Sequence, residues 1–184
     1  MTNLINLFNF IESKKPEYRI SLKDKRLITL KFKLLHDPES LTKDELNVEG
    51  NLKLPNAEIT SLPDNLTVGG DLDLTNTPIT SLPDNLTVKG IIRLFGSAIT
   101  SLPDNLTVGN LDLPYTKITS LPNNLTVSSN LGVSHTQITS LPDNLTVGGD
   151  LFLMNTPLSK QYSEDEIRKM IQDKGGNVGG DIYS

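Results

Sequence analysis

Between Val68 and Leu86 polar and apolar residues alternate as Asp71-Leu72-Asp73-Leu74-Thr75, the period of two that marks a short, half-buried strand. Leu72 and Leu74 are expected to point inward, and Asp71, Asp73 and Thr75 outward. Gly69-Gly70 supplies a sharp bend before the strand and Asn76-Thr77-Pro78 turns the chain after it. Ile79, Leu82 and Leu86 then line a return arc, and Pro83-Asp84-Asn85 is turn chemistry on the far side. The arc is a repeated sentence. Ile-Thr-Ser-Leu-Pro-Asp-Asn-Leu-Thr-Val begins at Ile59, Ile79, Ile99, Ile118 and Ile138, spaced 20, 20, 19 and 20 residues apart, with Asn123 once in place of Asp. A period near 20 predicts a solenoid, whose units cannot bury an apolar face alone and stack on their neighbours.

The ends read as caps. Leu46-Asn-Val-Glu-Gly-Asn-Leu-Lys-Leu54 has the form of Leu66 to Leu74, so a coil starts ahead of the first full repeat. Val178-Gly-Gly-Asp-Ile182 restates Val147-Gly-Gly-Asp-Leu151, which predicts a seventh strand. Between them Ser163 and Glu166 form a capping box, Ile167, Met170 and Ile171 share a helical face, and Gly175-Gly176 ends the helix. Near the N-terminus Leu4, Leu7, Phe8 and Ile11 stand at helical spacing, and Leu27 to Leu34 alternates like a strand. The expected organisation is an N-terminal cap over 1–45, a solenoid over 46–158, and a C-terminal helical cap with the final strand over 159–184.

The residues resemble the leucine-rich repeats. Leu72-x-Leu74-x-x-Thr77-x-Ile79-x-x-Leu82-Pro83-x-x-Leu86 follows that family's pattern, and the Leu-Pro pair with the short period is most similar to repeats of bacterial secreted effectors. The resemblance implies an α/β repeat fold: a right-handed solenoid with one parallel strand per coil, capped at both ends. Thr77, Ser97, Thr116, Thr136 and Thr156 stand where the family carries an asparagine ladder, and their hydroxyls are expected to bridge adjacent coils. Related effectors carry a cysteine-dependent ubiquitin ligase domain. This chain has no cysteine, so that activity is not carried across.

Composition narrows the function. The net charge of -5 disfavours nonspecific binding to nucleic acid or anionic membrane. No apolar run is long enough to span a bilayer and the start lacks a basic leader pattern, which with the absent cysteines suggests the cytoplasm, or the host cytoplasm if a phage encodes the chain. The sequons at Asn65, Asn85, Asn105, Asn124 and Asn144 read as by-products of the repeat, because glycans stacked at about 4.8 Å would collide. Lys23, Lys25, Arg26, Lys31 and Lys33 form a basic cluster read as a solvated face. His36 and His135 are the only histidines, and no nucleophile, phosphate-loop or metal-spaced motif accompanies them. No catalytic residue, cofactor or metal is expected.

Variation between copies concentrates on residues expected to face outward from the strands. Ile91, Arg93, Phe95, Tyr115, His135, Phe152 and Met154, with Asp73 and Asp112, are the candidate site. Aromatics, Met and Arg are enriched in protein interfaces. A non-enzymatic protein-binding module is therefore the expectation, acting on a host factor if the source is bacterial or phage. Two alternatives stay open. One is ice or ordered-surface binding through the columns Thr60, Thr80, Thr100, Thr119, Thr139 and Thr67, Thr87, Thr107, Thr126, Thr146. The other is mimicry of nucleic acid by residues 46–157, whose net charge is -6. An open solenoid also exposes edge strands, which pair end to end in a dimer unless the caps close them.

Overall fold

A computed structural model describes residues 21–184 and divides the chain into two compact units, Met1–Leu46 and Asn47–Ser184. The helical spacing at Leu4, Leu7, Phe8 and Ile11 lies outside the described residues, as does the side chain of Lys23.

In the first unit the alternation from Leu27 to Leu34 is not a strand. Helix α1 runs Leu22–His36, its N-cap Ser21 accepting a hydrogen bond from the Asp24 N–H. Leu30 and Leu34 are buried on one face, while Ile28, Phe32 and Leu35 are exposed on the opposite face. Two apolar stripes on a helix imitate a period of two in the sequence. Lys33 is also not solvated. It is 4% exposed, and its ammonium bonds both Glu45 carboxylate oxygens (2.7 and 2.8 Å) and the Ser40 carbonyl (3.2 Å). Burial pushes the Glu45 carboxyl up, but Lys33 and the N–H and hydroxyl of Thr42 together hold it below its usual range.

The second unit is a parallel β-solenoid of about five turns at the 20-residue spacing. Its front sheet has seven strands: Leu52–Lys53, Leu72–Asp73, Ile91–Arg93, Asn110–Asp112, Leu131–Gly132, Leu151–Phe152 and Ile182–Tyr183, paired in that order. The register is one coil per step, with Leu52 opposite Leu72 and Leu72 opposite Ile92. The final step, Leu151 to Ile182, spans the longer C-terminal coil. Inside, the apolar positions stack in columns: Leu72 on Ile92 and Leu111, Leu74 on Leu94 and Leu113, Ile79 on Ile99 and Ile118, all at most 1% exposed.

The coil carries two strands, not one. Leu-Thr-Val, read as part of the arc, forms a second parallel ladder through Asn47–Val48, Thr67–Val68 and Thr87–Val88, and again from Thr107–Val108 through Thr126–Val127 and Thr146–Val147 to Asn177–Val178. The β-branched Thr-Val pair recurs on five coils, with Asn-Val at each end, so main-chain bonds form wherever the coils align. The ladder breaks between Val88 and Val108, beside the shortened coil. There Val108-Gly109-Asn110-Leu111 has one residue fewer than Val88-Lys89-Gly90-Ile91-Ile92, yet Leu111 still pairs with Ile92 in the front sheet. The missing residue is absorbed in the bend, and the front sheet stays in phase.

The Gly-Gly bends serve close approach rather than unusual dihedrals. Gly69 is not in the left-handed region, and a Cβ there would stand 2.5 Å from the Glu49 carbonyl oxygen of the coil beneath. The threonines at the expected ladder also act differently. Thr77, Thr116 and Thr136 are buried and donate to the carbonyls of Leu74, Leu113 and Val133 in their own coils (2.7–2.8 Å), so they pin the turn and do not bridge coils. A hydroxyl is too short to satisfy both. Ser97 is buried with no partner for its hydroxyl among the described residues. Thr156 accepts from the Ser159 N–H as the cap of a short helix α2, Pro157–Gln161, which the sequence reading did not anticipate.

Helix α3, Glu164–Asp173, has the capping box of Ser163 and Glu166, buries Ile167 and Ile171, and ends at Gly175 with φ 78°. It also closes the stack. In inner coils Val147 and Gly149 give their carbonyls to the N–H groups of Gly179 and Gly180. At the coil of Val178 the equivalent carbonyls are met by Arg168 of α3, Nη1 to Val178 O and Nη2 to Gly180 O, both at 2.8 Å. Its planar fork reproduces the pair of N–H groups that another coil would bring. Replacing Arg168 with Ala should therefore cost about 2 kcal/mol, the worth of hydrogen bonds to a charged donor. It should also add concentration-dependent self-association through the opened edge. Urea melts and sedimentation velocity check both, with Arg168→Lys intermediate because an ammonium cannot span two carbonyls as a fork.

Candidate protein-binding face

The outward columns of the front sheet divide into a structural part and a free part. The first column is structural. Asn51 Oδ1 accepts the Asp71 N–H (2.9 Å), Asp71 Oδ1 accepts the Ile91 N–H (3.0 Å), and Asn110, Asn130 and Asp150 likewise accept from Asn130, Asp150 and Asp181 (2.9–3.0 Å). Each side-chain oxygen reaches the backbone of the next coil, so the coil-bridging role expected of the threonines belongs here. Ile91 alone interrupts this ladder. It stands against the shortened coil, where the strands lengthen to three residues and Ile91 pairs with Asn110 through the main chain. A second amide ladder runs along the far turn, Asn124 to Asn105 (3.0 Å) and Asn144 to Asn124 (2.9 Å), which explains those sequon asparagines.

Arg93 is not free either. Its Nη1 bonds Asp71 Oδ2 at 2.8 Å, diagonal to the register in which it faces Asp73 and Asp112. Arg93 and the Ile91 N–H hold the Asp71 carboxyl below its usual range. Asp73 accepts the Thr75 N–H at the turn that follows its own strand (3.1 Å). Asp112 differs, because burial pushes its carboxyl up while Arg93 only lessens the effect. No side-chain hydrogen bond reaches it among the described residues.

The remaining candidates gather in two aromatic groups. Phe95 and Tyr115 pack with ring centroids 5.1 Å apart and tilted, and Tyr115 stacks on His135 at 4.3 Å and 10°. The Asn155 amide continues this row at 3.4 Å from His135 Nε2. Phe152 stacks on Tyr183 at 4.9 Å and 6°, and Met154 stands exposed in the column of Phe95. Tyr183 was not among the expected site residues; its place in the same outward column as Phe152 was the signal for it. Phe95, Tyr115, Met154 and Tyr183 are 41–54% exposed, which is unusual for large apolar side chains on neighbouring coils.

One dihedral sets this row apart. The turn residue after each strand lies in the left-handed region: Asn56, Asn76 and Asn155 at φ 55–59°, and Gly96 at 65°. Those are the residue types that tolerate it. Tyr115 (58°) and His135 (59°) occupy the same conformation with rings. For Tyr115 this costs about 1–2 kcal/mol, and less for His135, since histidine visits the region more readily than other ring side chains.

Among the described residues no three His, Asp or Glu side chains gather as a metal site, and no helix is long and apolar enough to cross a membrane. No family model and no curated protein matches the chain.

The two carboxyl shifts have opposite consequences. For Asp71, held low, stability is present above the ordinary carboxylate pKa and lost as pH falls through its lower native value. For Asp112, pushed up, ionisation penalises the native state above its native pKa, and the penalty vanishes as pH falls below the ordinary carboxylate value. Asp112→Asn should therefore raise the melting temperature at pH 7, with the gain shrinking toward pH 3. Asp71→Asn, which keeps the acceptor for Ile91 and loses only a partly exposed ion pair, should cost about 0.5 kcal/mol at pH 7. Thermal melts across pH distinguish the two.

Proposed function

We propose that this chain is a non-enzymatic recognition module on the leucine-rich-repeat plan, binding a protein partner through the outward face of its front sheet. A concrete form of the reading is a bacterial or bacteriophage protein that engages a host factor in the cytoplasm. The observation that carries it is the strained placement of Tyr115, with His135 stacked on it from the next coil. Asn or Gly would hold the same turn at less cost, as they do on four other coils. Ring pairs contribute about 0.5–1.5 kcal/mol, which offsets the strain without exceeding it. Rings that add little to stability, stay exposed and displace the residues the turn prefers are best explained by contact with something else.

The ladders give this face a second useful property. The first outward column is fixed to the neighbouring coils, so the rings beside it stand on a rigid surface that loses little freedom on binding. Tyr115→Asn and His135→Asn should leave urea stability within about 1 kcal/mol of the parent or raise it, because each restores the residue the turn prefers. Phe95→Ala with Tyr115→Ala should abolish retention of the partner in affinity capture, and a photo-crosslinker at position 115 should join to that partner while one at Thr119 should not. A loss above about 2 kcal/mol from Tyr115→Asn, or a partner retained by the double variant, would overturn the reading.

The threonine reading gains one supporting observation, since Thr67, Thr87, Thr107, Thr126 and Thr146 lie on the second ladder and not on irregular arc. Thermal hysteresis of the purified chain decides it, and the break between Val88 and Val108 leaves that column in two pieces.

A further inference from the structure

The front sheet has a notch. Gly132 faces Asp112 on one neighbouring coil and Phe152 on the other, so the column lacks a side chain for one coil between a carboxylate and a ring. Asp112 leans over the gap: a Cβ on Gly132 would stand 3.0 Å from its Oδ1. That carboxylate accepts no side-chain or backbone hydrogen bond among the described residues. Arg93, its register neighbour on the other side, is committed to Asp71. Burial raises the Asp112 carboxyl, as expected of an acid that has lost water and gained no donor. On the far side of the gap, Phe152 is covered by Tyr183 on one ring face, with the rings 6° from parallel. On its other side Phe152 pairs in register with Gly132, so no side chain of that column stands against it there. In the adjoining outward column Ser134 is 6% exposed, and its hydroxyl has no partner among the described residues.

A desolvated carboxylate without a donor, beside the open face of a ring, is complementary to a cation: the charge pairs with the acid and the ring quadrupole attracts it from the side. We infer that the notch at Gly132 is the anchor point of the recognition face and receives a cationic side chain of the protein partner, an arginine or lysine that meets Asp112 and lies along Phe152. Arginine fits best, since its planar guanidinium stacks on a ring while its edge donates to a carboxylate. The inference rests on the reading of this face as protein-binding and adds the chemistry of the residue it takes.

The probe is N-acetylarginine amide, titrated into the isotope-labelled full chain and followed by NMR at the Asp112 carboxyl and the Phe152 ring. N-acetylcitrulline amide is the neutral isostere. The arginine amide should give saturable shifts at both positions and citrulline at least tenfold weaker ones. Gly132→Ala fills the notch at a position outside the left-handed region, and Asp112→Asn removes the charge; each should weaken arginine binding at least tenfold. If Gly132→Ala does not fold, Asp112→Asn carries the test alone. Non-saturable shifts, equal response to citrulline, or binding unchanged in the foldable variants would overturn the inference. A partner lost on Phe95→Ala with Tyr115→Ala yet held at full strength by Gly132→Ala and Asp112→Asn overturns the notch and leaves the recognition face standing. A partner indifferent to both pairs overturns both.

Discussion

Everything in the second unit depends on hydrogen bonding between a coil and its neighbour one repeat away. A single 20-residue coil has only a few inward side chains, too few to offset the entropy of ordering its backbone. Stacking closes the apolar columns and pairs the backbone groups in the same step. The side-chain ladders add to this by a route the backbone cannot supply. At the bend ahead of each strand the Asn or Asp oxygen takes the N–H of the next coil, a charge-assisted bond where the residue is Asp. The solenoid is thus joined at its front sheet, at a broken second ladder and at the far-turn amides.

That division of labour accounts for which surface is free to vary. Residues engaged in a ladder are held to Asn or Asp, and Ile91 departs from the rule only where main-chain pairing makes the side-chain bridge unnecessary. In the next outward columns only Arg93 is tied to another coil by a side-chain bond, and Phe95, Phe152, Tyr183, Met154 and the notch lie there. The turn column is intermediate: its left-handed backbone asks for Asn or Gly, so Tyr115 and His135 are tolerated at a cost that the surrounding coils bear.

The columns Leu72, Leu74, Ile79 and their copies were legible in the sequence because burial imposes a strict choice at each copy. The capping box of Ser163 and Glu166 was legible because two local bonds need two named residues three apart. The helix at Leu22–His36 was not, since opposite apolar stripes such as Leu30 with Leu34 and Ile28 with Phe32 mimic alternation, and only tertiary surroundings separate the two. The second ladder was hidden for a different reason: Thr-Val has no alternation to reveal in two residues, and its pairing exists only between coils. Of the candidate site, Phe95, Tyr115 and Met154 stand exposed on the outward side, which the variation between copies at those positions had pointed to. Arg93 and Asp73 turned out to be bonded within the scaffold, because sequence shows that a charge faces outward but not what meets it there.

The shortened coil also has meaning for how the chain finds its structure. Near-identical repeats invite a particular error, in which a segment docks against the wrong copy and the core closes with every leucine still matched to a leucine. Energy alone discriminates poorly against such a slip, since the misplaced columns are chemically the same. One link of unequal length removes the degeneracy: a stack displaced by a whole unit would bring the tight bend at Gly109 against a partner built for a longer one. It serves as an index mark in an otherwise uniform scale, and it fixes which coil presents which ring.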